Sequence, residues 1–135
     1  MTPCELLICA EDAMVNSYSP YSGFSVGAAL ITADGRVYKG CNIENSAFSP
    51  TICAERTAFF KAISEGENDF EAIAIVGKYK NGEYKRLCYP CGVCRQVMEE
   101  FCGGDFKIIL GDSKGEYEVH TLSELLPGGF DLRKE

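Results

Sequence analysis

The segment "SPTICAERTAFF", residues 49–60, has the apolar content of a helix but places reactive groups near its start. Cys53 and Glu55 are two positions apart, and Arg56 follows directly. In the middle of a helix, residues two positions apart point to different faces. At the start of a helix, where Cys53 still has cap geometry, both side chains can point into one cavity. The segment therefore predicts a helix over 51–65 whose first turn faces a polar site.

A second segment, "PCGVC" at residues 90–94, supplies two more thiols at the start of another predicted helix, 91–102. Cys91 and Cys94 are three residues apart, so they lie on one face of that helix start and can bind one metal ion together. If the two helix starts face each other, three thiols meet where the partial positive charge of the backbone lowers a thiol pKa. Three protein ligands leave the fourth position of a tetrahedral zinc site to water, as in a catalytic site.

Two other interpretations of these cysteines are open. A Cys-x-x-Cys pair can be a redox pair, but such a pair does not account for a third cysteine followed by a carboxylate. A closed structural zinc site would need a fourth thiol, and Cys88 is the candidate because "CYPCGVC" spaces three cysteines evenly. Pro90 favours extended geometry before it, which predicts that Cys88 lies back along the preceding strand, away from the helix start. Cys41 is a further candidate, and its position in a strand favours core packing.

Glu55 and Arg56 have distinct expected roles beside such a centre. Glu55 is not needed as a ligand, so it is available as an acid and base next to the metal-bound water. Three thiolates make a zinc centre formally anionic, which weakens its pull on the proton of that water. We expect Arg56 to donate hydrogen bonds to a ligand sulfur and to draw charge from it. Taken singly, Glu55 would be a carboxylate favoured by the helix dipole, and Arg56 an exposed helix residue.

The whole chain has the pattern of an α/β protein. Its elements follow the order α-β-β-α-β-α-β-β-α, which predicts a three-layer α-β-α fold with a mixed five-stranded sheet covered by helices, in a single domain 1–135. Thr2 and Glu5 form a capping box before the first helix, and Asp34-Gly35 indicates a hairpin. The strand-like segments are "FSVGAALIT", "RVYKGCN", "FEAIAIVGKY", "FKIILG" and "EYEVHT". Both crossover helices then begin at the carboxyl ends of strands, where open α/β sheets bind ligands.

Composition narrows the possible partners. The net charge of −7, from 13 basic and 20 acidic residues, disfavours nucleic acid, and a small neutral or cationic ligand fits better. No apolar run is long enough to span a membrane, and the N-terminus lacks the basic region of a signal peptide, so we expect a cytoplasmic protein. We therefore expect its eight cysteines to be reduced, with Cys4, Cys9 and Cys102 as buried packing residues.

The motifs resemble those of one known family. "CAER" followed by "PCGVCRQ", together with "YSPYSGFSVGAAL", "GCNIEN" and "ELLPGGF", resembles the zinc-dependent cytidine deaminases over nearly the whole chain. Cys-x-Glu with Pro-Cys-x-x-Cys is the broad signature of zinc-dependent nucleobase and nucleoside deaminases. "GCNIEN" is narrower and resembles the segment that holds the ribose in the free-nucleoside type. Phe48 and Tyr89 depart from the family pattern, which often has Tyr and a small hydroxyl residue there, and 78–89 is longer than in compact relatives.

The resemblance implies an activity and a cofactor. Cytidine and deoxycytidine would be hydrolysed to uridine and deoxyuridine with release of ammonia, as in pyrimidine salvage. Cys53, Cys91 and Cys94 would be the ligands of one Zn²⁺ per subunit. Zinc would lower the pKa of its water, and the resulting hydroxide would attack C4 of the pyrimidine. Glu55 would be the proton shuttle for both halves of the reaction.

The resemblance also implies how the nucleoside is held. Asn42 and Glu44 would bind the sugar hydroxyls, Phe24 would pack against the base or sugar, and the backbone of Ala54 would approach a polar group of the pyrimidine. Phe130 would be lent to the site of a neighbouring subunit, which implies a homotetramer with four shared sites. Two alternatives are open: a deaminase of a modified or drug-like cytosine nucleoside, and a structural zinc-binding module without chemistry.

Overall fold

The computed structural model describes residues 1–134 as four α-helices and one mixed sheet; Glu135, the last residue of the predicted domain, lies outside the described residues. The helices are α1 (Pro3–Ala13), α2 (Ala54–Ser64), α3 (Gly92–Phe101) and α4 (Leu122–Leu125). The strands are β1 (Ser25–Thr32), β2 (Val37–Cys41), β3 (Phe70–Lys78), β4 (Tyr84–Lys85), β5 (Lys107–Gly111) and β6 (Tyr117–Thr121). Short 3-10 helices cover Met14–Asn16 and Leu132–Lys134.

The sheet is mixed, as predicted, but within residues 1–134 it has six strands and not five. Its order is β2-β1-β3-β5-β6, and β4 pairs with the end of β3. Strands β3 and β5 are parallel, and the other neighbouring pairs are antiparallel. The sixth strand exists because Gly82, at a φ of 91°, turns the chain back so that Tyr84 and Lys85 pair with Lys78 and Gly77.

Helix α1 covers one face of the sheet. The predicted capping box is present: Thr2 Oγ1 accepts from the Glu5 N–H at 3.1 Å, and Glu5 Oε1 accepts from the Thr2 N–H at 2.9 Å. The apolar side of α1, including Leu6 and Leu7, is buried against alternate residues of β1 and β3. This helix and the strand residues beneath it form the smaller of two cores.

Helices α2, α3 and α4 cover the opposite face, which confirms the three-layer α-β-α architecture. The larger core joins Phe59 of α2 and Met98 of α3 to the other set of alternate strand residues. A Cβ atom added at Gly40 would lie 2.6 Å from the Ala54 carbonyl oxygen and 2.5 Å from the Ala58 nitrogen. The start of α2 therefore lies backbone against backbone on β2.

The eight cysteines, all within residues 1–134, are free thiols. Cys102 is buried and Cys9 is half-buried, in line with packing roles. The expectation for Cys4 was wrong, because Cys4 lies on the exposed side of α1, where its Sγ approaches the Ser113 carbonyl at 3.7 Å. Among the helices described, none has the length and apolar character to cross a bilayer.

Candidate metal centre and substrate cleft

The thiols that begin the two crossover helices both occupy N-cap positions. Cys53 caps α2 and Cys91 caps α3, each with extended backbone angles. Helix α2 begins at Ala54, later than predicted, because Ile52 and Ile43 exchange two backbone hydrogen bonds of 3.0 Å that keep the chain extended. The cap geometry explains how Cys53 and Glu55 reach one cavity, since only Glu55 belongs to the helix proper.

Cys53, Cys91 and Cys94 bring their sulfur atoms within 4.8 Å of one another. The Cys53 and Cys91 Sγ atoms are 3.8 Å apart, and those of Cys91 and Cys94 are 3.5 Å apart. Zinc–sulfur bonds of about 2.3 Å at tetrahedral angles place two sulfurs about 3.8 Å apart. These thiols therefore fit zinc, and within residues 1–134 they are the one group of three such side chains close enough to share an ion.

Cys88 does not join this group. It lies in the irregular segment between β4 and α3, not on a strand as the sequence had suggested, and it forms part of the cleft wall. Burial raises the pKa of the Cys88 thiol to about 12, so it remains protonated. Cys41 is buried at the end of β2, outside the three-thiol group and consistent with core packing. A closed four-sulfur site is absent from the residues that the structure describes.

Glu55 is buried in the first turn of α2, beside the thiols. Burial raises the pKa of its carboxyl to about 7, and the charge of the nearby Cys53 thiolate adds to the rise. A carboxyl with this pKa can both accept and release a proton near neutral pH. Glu55 can therefore carry protons beside the three thiols, and it is not a member of the three-thiol group.

The contacts of the Cys53 thiol make it more acidic than an ordinary thiol. Hydrogen bonds from Cys94 and from Arg56 lower its pKa to about 5, against the opposing effect of burial. Arg56 Nη2 donates to Cys53 Sγ at 3.4 Å, which is the contact expected from the sequence. The same cluster raises the pKa of Cys94, because Cys94 is the hydrogen-bond donor to Cys53 and is itself buried. These contacts therefore favour the thiolate form of Cys53, which is the form that binds zinc.

A cleft of about 280 Å³ opens beside the thiols. It is lined by Phe24, Val26, Asn42, Glu44, Thr51, Ile52, Cys53, Ala54, Glu55, Lys85, Cys88, Tyr89 and Cys91. Most residues predicted for substrate binding thus share one cleft, whereas Cys94, Arg56 and Phe130 do not line it. Val26, Thr51, Ile52 and Lys85 were not predicted to line the cleft. The first three lie within quoted segments of the sequence, whereas no local pattern marks Lys85.

Asn42 and Glu44 lie along the side of the cleft formed by the segment after β2. Asn42 Nδ2 donates to the Phe24 carbonyl at 2.9 Å, and its Oδ1 accepts from the Val26 N–H at 2.9 Å. Glu44 accepts hydrogen bonds from the Ser22 hydroxyl and from two backbone N–H groups, and these bonds hold its pKa below the usual range. Glu44 is therefore a charged acceptor at neutral pH.

Three aromatic residues lie at or beyond the edge of the cleft. Phe130 is 58% exposed and its backbone carbonyl accepts from Gln96 Nε2 at 3.1 Å. Phe48 is 93% exposed. Tyr89 lines the cleft and packs against His120, with ring centroids 5.8 Å apart. Of the two exposed rings, Phe48 lines a neighbouring pocket together with Glu44 and Thr51, two residues that also line the cleft.

A three-layer α-β-α fold that presents three thiols from two helix starts, with a buried non-ligand glutamate beside them, has the chemistry of a zinc-dependent deaminase. Residues 2–110 match the family described as the cytidine and deoxycytidylate deaminase zinc-binding region. The chain belongs to this cytidine deaminase family.

Named relatives agree with this assignment. The cytidine deaminase of Sporosarcina psychrophila is 49% identical over 126 residues, covering 93% of this chain and 89% of the relative. The cytidine deaminase of Halalkalibacterium halodurans is 52% identical over 121 residues, covering 90% of this chain and 88% of the relative. The crystal structure of cytidine deaminase from Burkholderia pseudomallei superposes with a TM-score of 0.87 at 42% identity, covering 96% of this chain and all 100% of that one. The crystal structure of cytidine deaminase from Mycobacterium tuberculosis superposes with a TM-score of 0.78 at 36% identity, covering 93% of this chain and 94% of that one.

Proposed function

We propose that this chain catalyses the hydrolytic deamination of cytidine and deoxycytidine to uridine and deoxyuridine, with release of ammonia. The observation that carries the proposal is the buried Glu55 carboxyl, with a pKa near 7, beside three thiols at zinc-binding spacing. The relatives named above, which are cytidine deaminases, support the same substrate. The reaction serves pyrimidine salvage, and the whole chain 1–135 acts as one domain.

Cys53, Cys91 and Cys94 hold the zinc ion in this proposal. When bound, zinc supplies the Lewis acidity that turns a water molecule into a nucleophile near neutral pH. The negative charge of three thiolates is offset by the two helix N-termini and by the Arg56 guanidinium. Cys88 would not serve as a fourth protein ligand, because it lies outside the thiol group and burial keeps its thiol protonated.

Glu55 moves the protons of the reaction. It accepts one proton from the attacking water and passes it to N3 of the pyrimidine, and it then accepts the second proton from the hydroxyl newly bonded to C4 and passes it to the departing amino group. Oxygen becomes bonded to C4 and ends as the C4 carbonyl, the bond from C4 to the amine breaks, and ammonia leaves with one proton that came from water while the other remains on N3. Burial of Glu55 supports this role, since its raised pKa balances proton uptake against proton release.

The remaining cleft residues orient the nucleoside. Asn42 and Glu44 bind the sugar hydroxyls, because a fixed amide and a charged carboxylate offer both donors and acceptors. Phe24 packs against the base or sugar, and the backbone of Ala54 approaches a polar group of the pyrimidine. All four line the cleft that also holds Glu55.

Phe130 acts in the site of a neighbouring subunit, and the active form is a homotetramer with shared sites. Its exposure supports this proposal, as does its position outside the cleft of its own chain. The eight free thiols, all in the described residues, support a reducing compartment such as the cytoplasm.

The decisive experiment is to incubate purified, zinc-loaded protein with cytidine or deoxycytidine and to follow the change in ultraviolet absorbance. Chromatography should then identify uridine or deoxyuridine, and an ammonia assay should give one equivalent per product. Absence of turnover with both nucleosides would refute the proposal. Turnover only of cytosine nucleosides with a different sugar would support the modified-nucleoside alternative.

A further inference from the structure

Ser22 connects two residues of the substrate cleft. Its hydroxyl donates a hydrogen bond to Glu44 Oε2 at 2.5 Å and accepts one from the Phe24 backbone N–H at 3.0 Å. A serine hydroxyl has one proton and two lone pairs, so it can make both bonds at once. One small side chain therefore joins the segment before β1 to the segment after β2.

Within residues 1–134, the Ser22 hydroxyl is the one hydrogen-bond donor to Oε2 of Glu44. The other carboxylate oxygen, Oε1, accepts from the backbone N–H groups of Tyr21 at 2.9 Å and Ser22 at 3.1 Å. Those backbone donors are present whatever the side chain at position 22. Among the hydrogen bonds of residues 1–134, only that of the Ser22 hydroxyl reaches Oε2, so it sets the rotation of the carboxylate plane.

The connection extends to Asn42. The Phe24 carbonyl accepts from Asn42 Nδ2 at 2.9 Å, and Asn42 Oδ1 accepts from the Ser17 hydroxyl at 2.5 Å. Phe24, Asn42 and Glu44 are thus parts of one hydrogen-bonded unit, and Ser22 is the link between its aromatic and its acidic member. All three of those residues line the cleft, whereas Ser22 does not.

We infer that Ser22 is a positioning residue for the sugar of the nucleoside, acting through the Glu44 carboxylate and the Phe24 backbone. This inference rests on the proposed function, in which Glu44 binds a sugar hydroxyl. The hydrogen bonds to Glu44 also keep its pKa low, so the oriented group is a charged acceptor. Hydroxyls of the sugar then meet a carboxylate that is already turned toward them.

The test is Ser22→Ala, assayed with cytidine. Loss of one hydrogen bond to a charged group should raise KM about tenfold and leave kcat within about twofold. Zinc content and the thermal midpoint should match those of the wild type, because Ser22 is exposed and is not a member of the three-thiol group. Ser22→Thr keeps the hydroxyl and should restore KM to within about threefold of the wild type.

Ser46→Ala is the matched control. The Ser46 hydroxyl pairs with the Tyr21 phenol at 2.7 Å in the same neighbourhood, but it contacts neither Glu44 nor Phe24 in the described hydrogen bonds. Its KM for cytidine should stay within about twofold of the wild type, because an exposed hydroxyl pair contributes little. An increase in KM equal to that of Ser22→Ala would overturn the inference.

Two further measurements separate positioning from a general structural effect. In a Glu44→Gln background, Ser22→Ala should change KM by less than about twofold, because the two changes affect one interaction. With 2′,3′-dideoxycytidine, which lacks the hydroxyls that Glu44 would bind, Ser22→Ala should have no effect beyond about twofold. Fully additive changes, or an unaltered KM for cytidine in Ser22→Ala, would overturn the inference and leave the proposed function intact. A wild-type protein inactive on cytidine and deoxycytidine would overturn both.

Discussion

Arg56 Nη2 lies 3.4 Å from Cys53 Sγ, so the thiol that begins α2 is hydrogen-bonded by an arginine of the same helical turn. The guanidinium contributes to the low pKa of Cys53 and offsets charge in a site with three sulfurs. Loss of such an outer contact at a metal site usually reduces affinity or activity by about tenfold to a hundredfold.

We expect Arg56→Gln to lower kcat by about tenfold to a hundredfold while the purified protein still binds zinc. The measurement is kcat together with zinc content by atomic spectroscopy. Arg36→Gln is a suitable control, since the exposed Arg36 pairs with Asp34 and Glu67, both 3.5 Å away, and belongs neither to the thiol group nor to the cleft lining. Full activity in Arg56→Gln would show that the two helix N-termini alone offset the negative charge of the thiolates.

Glu55→Gln tests the proton shuttle. The amide keeps the size of the carboxylate but cannot transfer protons, so kcat should fall by at least about a thousandfold. Zinc content should be unchanged because the group that can hold the ion consists of the three thiols and does not include Glu55. Glu65→Gln, at the exposed end of α2, provides the matched control and should retain wild-type kcat.

Cys88→Ser and Cys94→Ser together distinguish an open catalytic centre from a closed structural one. Cys88→Ser should bind one zinc ion as the wild type does, because Cys88 lies outside the thiol group and stays protonated. Cys94→Ser should lose the metal, since a member of the three-sulfur group is gone. Metal release in Cys88→Ser would instead support a structural zinc module.

Phe130→Ala should lower kcat/KM without removing zinc, because Phe130 is 58% exposed and is not a member of the three-thiol group. A mixing experiment makes the prediction sharper. Co-expression of Phe130→Ala with Glu55→Gln creates sites that combine an intact Glu55 from one subunit with an intact Phe130 from another. We expect activity above the average of the two variants, and merely averaged activity would contradict shared sites.

Gly77→Ala should disturb the wall of the cleft. The new methyl group would lie 2.4 Å from Phe24 Cζ and 3.0 Å from Cys88 Sγ, so the ring of Phe24 must move. Such overpacking costs about 1–3 kcal/mol of stability, and the displaced ring should raise KM for cytidine. Gly104→Ala, where the nearest atom would be 3.4 Å away, is the control for thermal unfolding and kinetics.

Local signals were sufficient for much of this fold. The Thr2–Glu5 capping box marks the start of α1, and Gly35, at a φ of 93°, closes the hairpin between β1 and β2. The three-thiol group was also predictable, because metal ligation needs few residue types at defined spacings. The capping box and the hairpin turn are each encoded within a few consecutive residues. The thiol group is recognisable from the ligands that zinc prefers.

Features that depend on distant pairing were missed. Strand β4 has only two residues, and its pairing with Gly77 and Lys78 depends on how the preceding turn directs the chain. The late start of α2 depends on the bridge between Ile43 and Ile52, which no helix propensity encodes. Lys85 enters the cleft lining through the same β4 pairing. Each of these requires the tertiary arrangement before it can be inferred.

The close approach of α2 to Gly40 has a consequence for how this family can change over time. Because the backbone of Ala54 and Ala58 lies directly against β2, no intervening side chain sets the height of the helix above the sheet. Replacements along the cleft wall can therefore accumulate without lifting Cys53 from its place.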